Sequence, residues 1–269
     1  VDLQEWHSVN RVTKEITLGW MWECPDLFET ADGAVLMVSP MGVLKDGKRE
    51  ANHAVCLPVE FEESTCNLTF SQEYQFVDYG MDLHAPQSTV DEQGRRVMIG
   101  WMRMPEAVEG RWNGMFCIPR SVERKDSHIY FRVHPNVERA FSKKISSPKE
   151  AGESGYRLSL ELPEGGRIDI GGYKVTRIGN RICTDRSDVF TGHEAWRMEA
   201  ATPEIKEGNH LDIYVDRSLI EIYVNHGEYV LSSVVYDLGM EIRSEAVETL
   251  EIYTVDSNRE SKGGQMMCD

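Results

Sequence analysis

The sequence predicts an all-β protein. Short segments rich in β-branched and aromatic residues follow one another, separated by turns such as Asp32-Gly33 and Gln93-Gly94. No stretch with helical periodicity interrupts these segments in the first half of the chain. Short strands at such spacing are typical of a sandwich, a barrel or a propeller.

The predicted strands of the first half span residues 34–39, 54–61, 68–77, 96–102, 115–122 and 128–133. A short helix or linker is expected over 135–144, because Val137, Ala140 and Phe141 share one helical face. A polar segment rich in structure breakers, 146–155, marks a boundary.

The second half alternates between apolar and polar residues. Leu158, Leu160 and Leu162 fall on one face of a strand, and the same period recurs over 211–215 and 220–224. This pattern predicts a half-buried antiparallel sheet with a hairpin turn at residues 216–218. Two stacked sheets of this kind form a β-sandwich, whose default role is structural.

Composition narrows the class of protein. The chain has 269 residues and a formal net charge of −16, which argues against nucleic acid and anionic membranes as partners and is compatible with a neutral sugar. No apolar run approaches the ~20 residues needed to cross a bilayer, and the polar N-terminal residues do not resemble a signal peptide.

The six cysteines form no Cys-x-x-Cys pair, and no histidine cluster has ligand spacing, so no metal or cofactor is expected. Free cysteines indicate a reducing, cytoplasmic setting.

One carboxylate stands out near the start of the chain. Glu23 lies between Trp22 and Cys24, and Pro25 restricts the backbone beside it. Burial among apolar neighbours favours the neutral form of a carboxyl group, which is what a general acid near neutral pH requires. The alternative interpretation is an ordinary residue at a strand edge, because such carboxylates are only probabilistic markers of a site.

Five stretches carry a resemblance to a known family. They are Trp-Glu-Cys-Pro-Asp-Leu-Phe at 22–28, Asp-Tyr-Gly-Met-Asp-Leu-His-Ala-Pro-Gln at 78–87, Gly-Arg-Arg-Val-Met-Ile-Gly-Trp-Met at 94–102, Ile-Pro-Arg at 118–120 and the hairpin at 215–225. In this order they resemble glycoside hydrolase family 32, which contains the invertases, fructanases and sucrose-6-phosphate hydrolases. The first stretch is similar to that family's acid/base motif.

The resemblance implies a fold and an activity. It selects the propeller, which in the family has five blades, followed by a β-sandwich. At ~40 to 50 residues per blade, residues 1–135 suit a partial propeller of two to three blades, with 136–155 as a linker and 156–269 as the sandwich. The implied activity is hydrolysis of a glycosidic bond in a sucrose-like or fructan-like sugar, with Glu23 as general acid/base.

Other site residues follow from the same resemblance. Asp82 and His84 lie in the segment that borders the fructose pocket of the family, where His84 replaces the usual tyrosine. Asp82 is either a turn former or a ligand contact, and His84 is either a sugar contact or a structural histidine. Trp22 and Trp112 are candidate sugar-stacking residues, since aromatic faces bury the C–H patches of sugars.

Trp101 and Arg120 are assigned differently. Trp101 lies in an alternating strand and is expected in the core. Arg120 is expected to play a structural role, paired with a buried carboxylate.

Two family motifs are absent from the sequence. These are the Trp-Met-Asn-Asp-Pro-Asn-Gly-like strand that carries the nucleophile and the later Arg-Asp-Pro triplet, both normally upstream of the acid/base motif. The chain is therefore expected to correspond to the C-terminal part of a family member.

A partial propeller is expected to leave apolar sheet faces open, which predicts a homodimer that covers them. The alternatives are an inactive carbohydrate-binding remnant, or a fragment that needs the missing half in trans.

Overall fold

The computed structural model describes residues 5, 7, 18–45, 48–49, 53–70, 74–108 and 110–256. Within these residues the chain forms 23 β-strands, one α-helix and two short 3-10 helices. The prediction of an all-β fold is confirmed. Strands before the α-helix are β1 Met21–Thr30, β2 Gly33–Met41, β3 Leu44–Lys45, β4 Lys48–Arg49, β5 Val55–Glu62, β6 Asn67–Phe70, β7 Gln75–Phe76, β8 Leu83–Val90, β9 Arg96–Met102, β10 Met115–Phe116, β11 Arg120–Lys125 and β12 His128–Val133. Strands after it are β13 Lys143–Ile145, β14 Tyr156–Glu161, β15 Arg167–Ile170, β16 Tyr173–Ile178, β17 Arg181–Asp185, β18 Glu199–Ala201, β19 His210–Asp216, β20 Leu219–Val224, β21 Tyr229–Val234, β22 Ile242–Glu245 and β23 Glu248–Thr254.

The first twelve strands build two antiparallel blades and a small hairpin. The first blade has the order β1-β2-β5-β6, with β7 also paired to β5, and β3 and β4 form the hairpin. The second blade has the order β10-β9-β11-β12, with β8 also paired to β9. Strands β1 and β8 were not predicted as strands, because each carries a proline and a break in its period.

Both faces of β2, inside the first blade, are buried. Val35 and Met37 of β2 belong to the same cluster as Met98 of the second blade, while Leu36 and Val38 belong to an outer cluster with Leu57. In this outer cluster Leu36 is only 6% exposed, and Val38 and Leu57 are fully buried. Exposed apolar side chains lie on the edge strand β1, at Met21 and Leu27, and on the second blade, at Ile99, Trp101 and Phe116.

The second domain is a sandwich of two antiparallel sheets. One sheet has the order β13-β23-β14-β19-β20-β21 and the other β18-β17-β16-β15-β22. The alternating Leu158, Leu160 and Leu162 enter the core between the sheets, as predicted, and so does one alternating set of apolar residues from each of β19 and β20. The hairpin turn is confirmed as well, since Asp216 pairs with Leu219 across Arg217 and Ser218.

The prediction of a half-buried sheet is wrong for β20. All six of its residues are buried. The reason is that its second face does not meet water but packs against the propeller strands, with Tyr223 joining the same cluster as Met98 and Phe131.

The segment between the domains is partly regular. The α-helix α1 spans Pro135–Ala140 and ends before the predicted residue 144; the His134 side chain caps it by accepting from the Asn136 N–H. Residues 143–145, which the sequence assigns to the linker, form β13 at an edge of the six-stranded sheet. The 3-10 helices span Pro148–Ala151 and Ser187–Val189. Among the described residues, no helix has both the length and the apolar character to cross a bilayer.

Two buried arginines join the domains, one from each side. Arg120 of the propeller lies 2.9 Å from Asp78 and reaches Glu221 of the sandwich at 2.7 Å, and all three side chains are almost fully buried. This confirms the structural role predicted for Arg120. In the opposite direction, Arg186 of the sandwich forms a two-pronged ion pair with Asp82 of the propeller. The interface is thus held by reciprocal charge pairs that water does not reach.

Candidate active site

A β-bulge presents Glu23 at one end of the first blade. β1 pairs with β2 in regular register up to Glu23, opposite Ser39, and the register shifts before Asp26. Within this bulge Cys24 has a φ of 50°, in the left-handed region. Bulges re-aim side chains, and here the Glu23 side chain stays 41% exposed. The burial expected for Glu23 from its apolar neighbours is therefore not observed.

A second bulge faces the first. The register between β8 and β9 shifts between His84 and Gln87, and Ala85 has a φ of 49°. Four hydrogen bonds hold β8 against the first blade, three of them to β1 and one to β2. The Ala85 N–H donates to Ser39 Oγ at 3.1 Å, the Gln87 side-chain amide donates to the Cys24 carbonyl at 3.0 Å, and the Ser88 N–H and hydroxyl both donate to Asp26 Oδ2 at 2.7 and 2.6 Å.

The paired bulges bring Glu23 and His84 together. Glu23 Oε2 lies 3.6 Å from His84 Nε2, and the His84 side chain is only 9% exposed. This separation allows an ion pair when the imidazole is protonated but is longer than a direct hydrogen bond. The imidazole is therefore close enough to orient the Glu23 carboxylate.

Trp101 forms one wall of this site. It pairs directly with His84 across β8 and β9, and the two rings meet edge to face with centroids 6.4 Å apart. The prediction that Trp101 lies in the core is wrong, because its side chain is 44% exposed. Its strand alternates as predicted, but Met98 and Met102 take the core face.

The other tryptophans differ in position. Trp112, a candidate for sugar stacking, is 44% exposed in the loop before β10. Trp22 donates its Nε1–H to the Leu18 carbonyl at 2.8 Å and packs on the outer cluster of the first blade. Because successive side chains of a strand point to opposite faces, Trp22 does not share the face that carries Glu23.

Asp82 does not reach the site surface. Its side chain is fully buried against Arg186, and Oδ2 also accepts the Val234 N–H at 2.8 Å. Burial raises the pKa of Asp82, and the Arg186 guanidinium and these hydrogen bonds oppose the rise. The ligand contact that the sequence allowed for Asp82 has no exposed oxygen to make it, so this residue links the domains instead.

Sequence reasoning missed the residues that hold the site. Ser39, Gln87 and the pair of Asp26 with Ser88 fix the two bulges to each other. The only available signal was local, namely a polar residue at the end of an apolar strand and an acidic residue directly after a Cys-Pro step. Neither signal specifies a partner, because the partners are up to 63 residues away in sequence.

Two antiparallel blades, a following sandwich and a glutamate on a bulge are the features that the sequence motifs imply for a glycoside hydrolase. Comparison with known protein families identifies which glycoside hydrolase family this is. Residues 1–135 match the glycosyl hydrolases family 32 N-terminal domain, and residues 130–260 match the glycosyl hydrolases family 32 C-terminal region. The chain belongs to glycosyl hydrolases family 32, as the sequence motifs indicated.

Individual relatives agree with this assignment. The chain is 29% identical to the sucrose-6-phosphate hydrolase of Vibrio alginolyticus, over 86% of this chain and 52% of that protein. It is 30% identical to the Bacillus subtilis (strain 168) sucrose-6-phosphate hydrolase, over 86% of this chain and 54% of that protein. The chain thus spans about half the length of these relatives.

Solved structures support the same fold. A sucrose-6-phosphate hydrolase from Lactobacillus gasseri superposes with a TM-score of 0.79 at 20% identity, covering 95% of this chain and 59% of that one. A Bombyx mori family 32 β-fructofuranosidase gives a TM-score of 0.73 at 21% identity, covering 89% and 55%. These similarities confirm the predicted partial propeller with a C-terminal sandwich.

Proposed function

We propose that the chain carries the acid/base half of a glycosidase site that hydrolyses a fructosyl bond in a sucrose-like or fructan-like sugar. The observation that carries this proposal is Glu23, half-exposed on a bulge that a second bulge holds in place. A general acid must be accessible to the glycosidic oxygen while its backbone stays fixed. Glu23 meets both requirements.

His84 is a positioning residue in this proposal. Its nearly buried imidazole lies 3.6 Å from the Glu23 carboxylate, close enough to orient the acid. It stands where the family resemblance leads us to expect tyrosine. Restoring that residue with His84→Tyr tests whether the imidazole sets the pH dependence of turnover.

The proposed reaction also needs a second carboxylate as nucleophile. Retaining glycosidases place two carboxyl groups ~5 to 5.5 Å apart. Two other carboxylates of the motifs are already engaged, since Asp26 accepts two hydrogen bonds from Ser88 and Asp82 is buried against Arg186. We propose that the second carboxylate comes from outside the described residues, either from a second copy of the chain or from the N-terminal half of the propeller.

A homodimer is the simpler of these arrangements. Ile99, Trp101 and Phe116 expose apolar surface on the second blade beside the site, and Phe116 is 69% exposed. A two-fold contact through this surface would place two copies of Glu23 near one interface. Sedimentation at micromolar concentration tests this arrangement, and a monomer would contradict it.

The hydrolysis proposal is tested by assaying the purified chain on sucrose, raffinose, inulin and a panel of aryl glycosides. Glu23→Gln is expected to abolish turnover, while the matched Glu29→Gln on the same strand leaves it unchanged, because Glu29 is an exposed residue on a regular part of β1. Turnover that persists in Glu23→Gln would contradict the assignment.

A carbohydrate-binding remnant is the second candidate. The exposed rings of Trp101 and Trp112 favour it, because such rings stack on sugars without any catalytic group. Sugar binding without product release, lost in Trp101→Ala and kept in Glu23→Gln, would support this candidate. For either function we propose a cytoplasmic setting, which is consistent with the unpaired state of the five described cysteines.

A further inference from the structure

Three potential metal ligands converge on the sandwich, in the domain that does not carry Glu23. His210 and Asp212 lie two residues apart on β19, so their side chains share one face. His226 lies in the turn between β20 and β21, and the adjacent Asn225 N–H donates to the His210 carbonyl at 2.9 Å. One potential ligand atom from each of the three side chains lies within 4.8 Å of the other two.

The ligand atoms of the three groups face one another. Asp212 Oδ2 lies 3.0 Å from His210 Nε2 and 3.6 Å from His226 Nδ1. On its other side His210 Nδ1 lies 3.0 Å from Glu161 Oε1. Nε2 is therefore the ring nitrogen of His210 that is available to a ligand shared with Asp212 and His226.

The surroundings orient each of the three groups. Glu161 fixes the tautomer and ring orientation of His210, as carboxylates behind metal-bound histidines do. Arg157 donates to Asp212 Oδ1 through Nε at 3.0 Å and Nη2 at 2.6 Å, which leaves Oδ2 directed at the histidines. The Arg132 guanidinium donates to the His226 carbonyl at 2.7 Å and fixes the turn.

We propose that His210, Asp212 and His226 form a binding site for a divalent transition-metal ion of the zinc class. Two imidazoles and one carboxylate suit Zn²⁺, Ni²⁺ or Cu²⁺ better than Mg²⁺ or Ca²⁺, which prefer oxygen ligands. Three protein ligands leave one position for water or an exchangeable ligand. The sequence alone indicated no metal site, because strand pairing rather than sequence spacing brings these residues together.

The bound ion would join the β20–β21 turn to β19. An ion that binds only the folded state raises the melting temperature in proportion to the logarithm of its concentration. The site therefore has a thermal readout that is independent of any sugar hydrolysis.

The test uses the full chain, freed of metal with a chelator and titrated with ZnCl₂ by calorimetry. We expect about one ion per chain. His226→Asn removes one ligand, and asparagine tolerates the left-handed backbone at this position, where φ is 58°. Glu161→Gln keeps all three ligands and should weaken Zn²⁺ about 10- to 100-fold. His226→Asn should weaken it at least as much and remove the metal-dependent rise in melting temperature.

A matched control is His7→Asn, which removes an imidazole that is 84% exposed elsewhere in the chain. This control should bind Zn²⁺ like the parent. A parent chain without saturable binding would overturn the proposal, as would an affinity that is unchanged in both His226→Asn and Glu161→Gln. His226→Asn alone could lower the metal-free melting temperature by a structural effect. In that case the Zn²⁺ affinity of Glu161→Gln and the Co²⁺ absorption spectrum of the parent chain are used to test whether the metal binds at this site.

Discussion

Glu23 and Asp82 are two carboxylates in short family motifs, and the structure gives them opposite surroundings. Glu23 lies at the edge of a blade, 41% exposed, with one imidazole nearby. Asp82 lies between the domains, fully buried and engaged by an arginine. The site depends on backbone geometry, whereas the interface depends on complete charge pairing. Changes at the site should alter chemistry and leave stability intact, and changes at the interface should do the reverse.

The largest difference should appear when the same chemical change is made in both places. Asp82→Asn leaves the buried Arg186 charge without its partner, and removing one member of a buried pair costs about 3–5 kcal/mol. Glu23→Gln alters an exposed group and should change the free energy of unfolding by less than about 0.5 kcal/mol. Urea denaturation of both variants measures this contrast. Equal losses of stability would show that the two regions are not distinct.

A glycine in the motif at residues 78–87, which contains Asp82, should give the next largest loss of stability. A Cβ on Gly80 would lie 2.1 Å from the Ser232 carbonyl oxygen and 2.2 Å from the Ser232 nitrogen, both main-chain atoms that cannot rotate away. Gly80→Ala should therefore cost about 3 kcal/mol, the upper end of the usual range for overpacking.

Gly94→Asn is the control for this prediction. Gly94 lies in an open turn with a φ of +79°, where a Cβ would have no other atom within 4 Å. Asparagine tolerates that backbone conformation, so its unfolding midpoint should match the parent. A midpoint for Gly80→Ala that is no lower than that of Gly94→Asn would contradict the close approach of the two domains.

Thiol reactivity sharpens the comparison without any substitution. Cys24 is exposed next to Glu23, and Cys117 is buried near the interface. Burial raises the pKa of Cys117 to about 12, so little thiolate forms at neutral pH. Iodoacetamide followed by mass spectrometry should label Cys24 in the native chain and Cys117 only in denaturant. If a sugar occupies the site, it should protect Cys24 and leave the exposed Cys66 reactive; rapid native labelling of Cys117 would contradict the buried interface.

The smallest effect concerns a charge at the end of the second blade. Asp91 accepts hydrogen bonds from the Arg95 N–H and Nε and from His134, the residue that caps α1. Partial burial alone would raise the pKa of Asp91, but these donors outweigh it and hold the pKa below its usual range. The contribution to stability is complete above the unfolded pKa of about 3.9 and is lost as pH falls through the lower folded value. Stability curves of the parent and Asp91→Asn should converge in acid, and parallel curves would exclude this linkage.

The sequence predicted the fold class because alternation and turn residues are local signals. The hairpin at residues 216–218 was predicted for the same reason and is confirmed. The structural role of Arg120, predicted as a partner of a buried carboxylate, is confirmed as well. The sequence misplaced Trp101, since alternation shows that a strand has two faces but not which face meets the core. It also predicted that one face of β20 meets water, whereas all six residues are buried. The polar residues of a strand do not show that a second domain covers their face.

The site was predicted less completely than the fold. The motif at 22–28 identified Glu23, but the bulges that aim Glu23 and His84 arise from backbone strain at Cys24 and Ala85, two ordinary residues with positive φ. The Arg186 partner of Asp82 lies 104 residues away. No periodicity or spacing within the motif could have indicated it.

The reciprocal arginines have a consequence for the history of such chains. A gene rearrangement that separated the two domains would leave Arg186 without Asp82 in one product, and would leave Asp78 and Arg120 without Glu221 in the other. If either product packed against an unrelated domain, it would bury a charged side chain without its ion-pair partner. The buried ion pairs therefore favour retention of the two domains together in one chain.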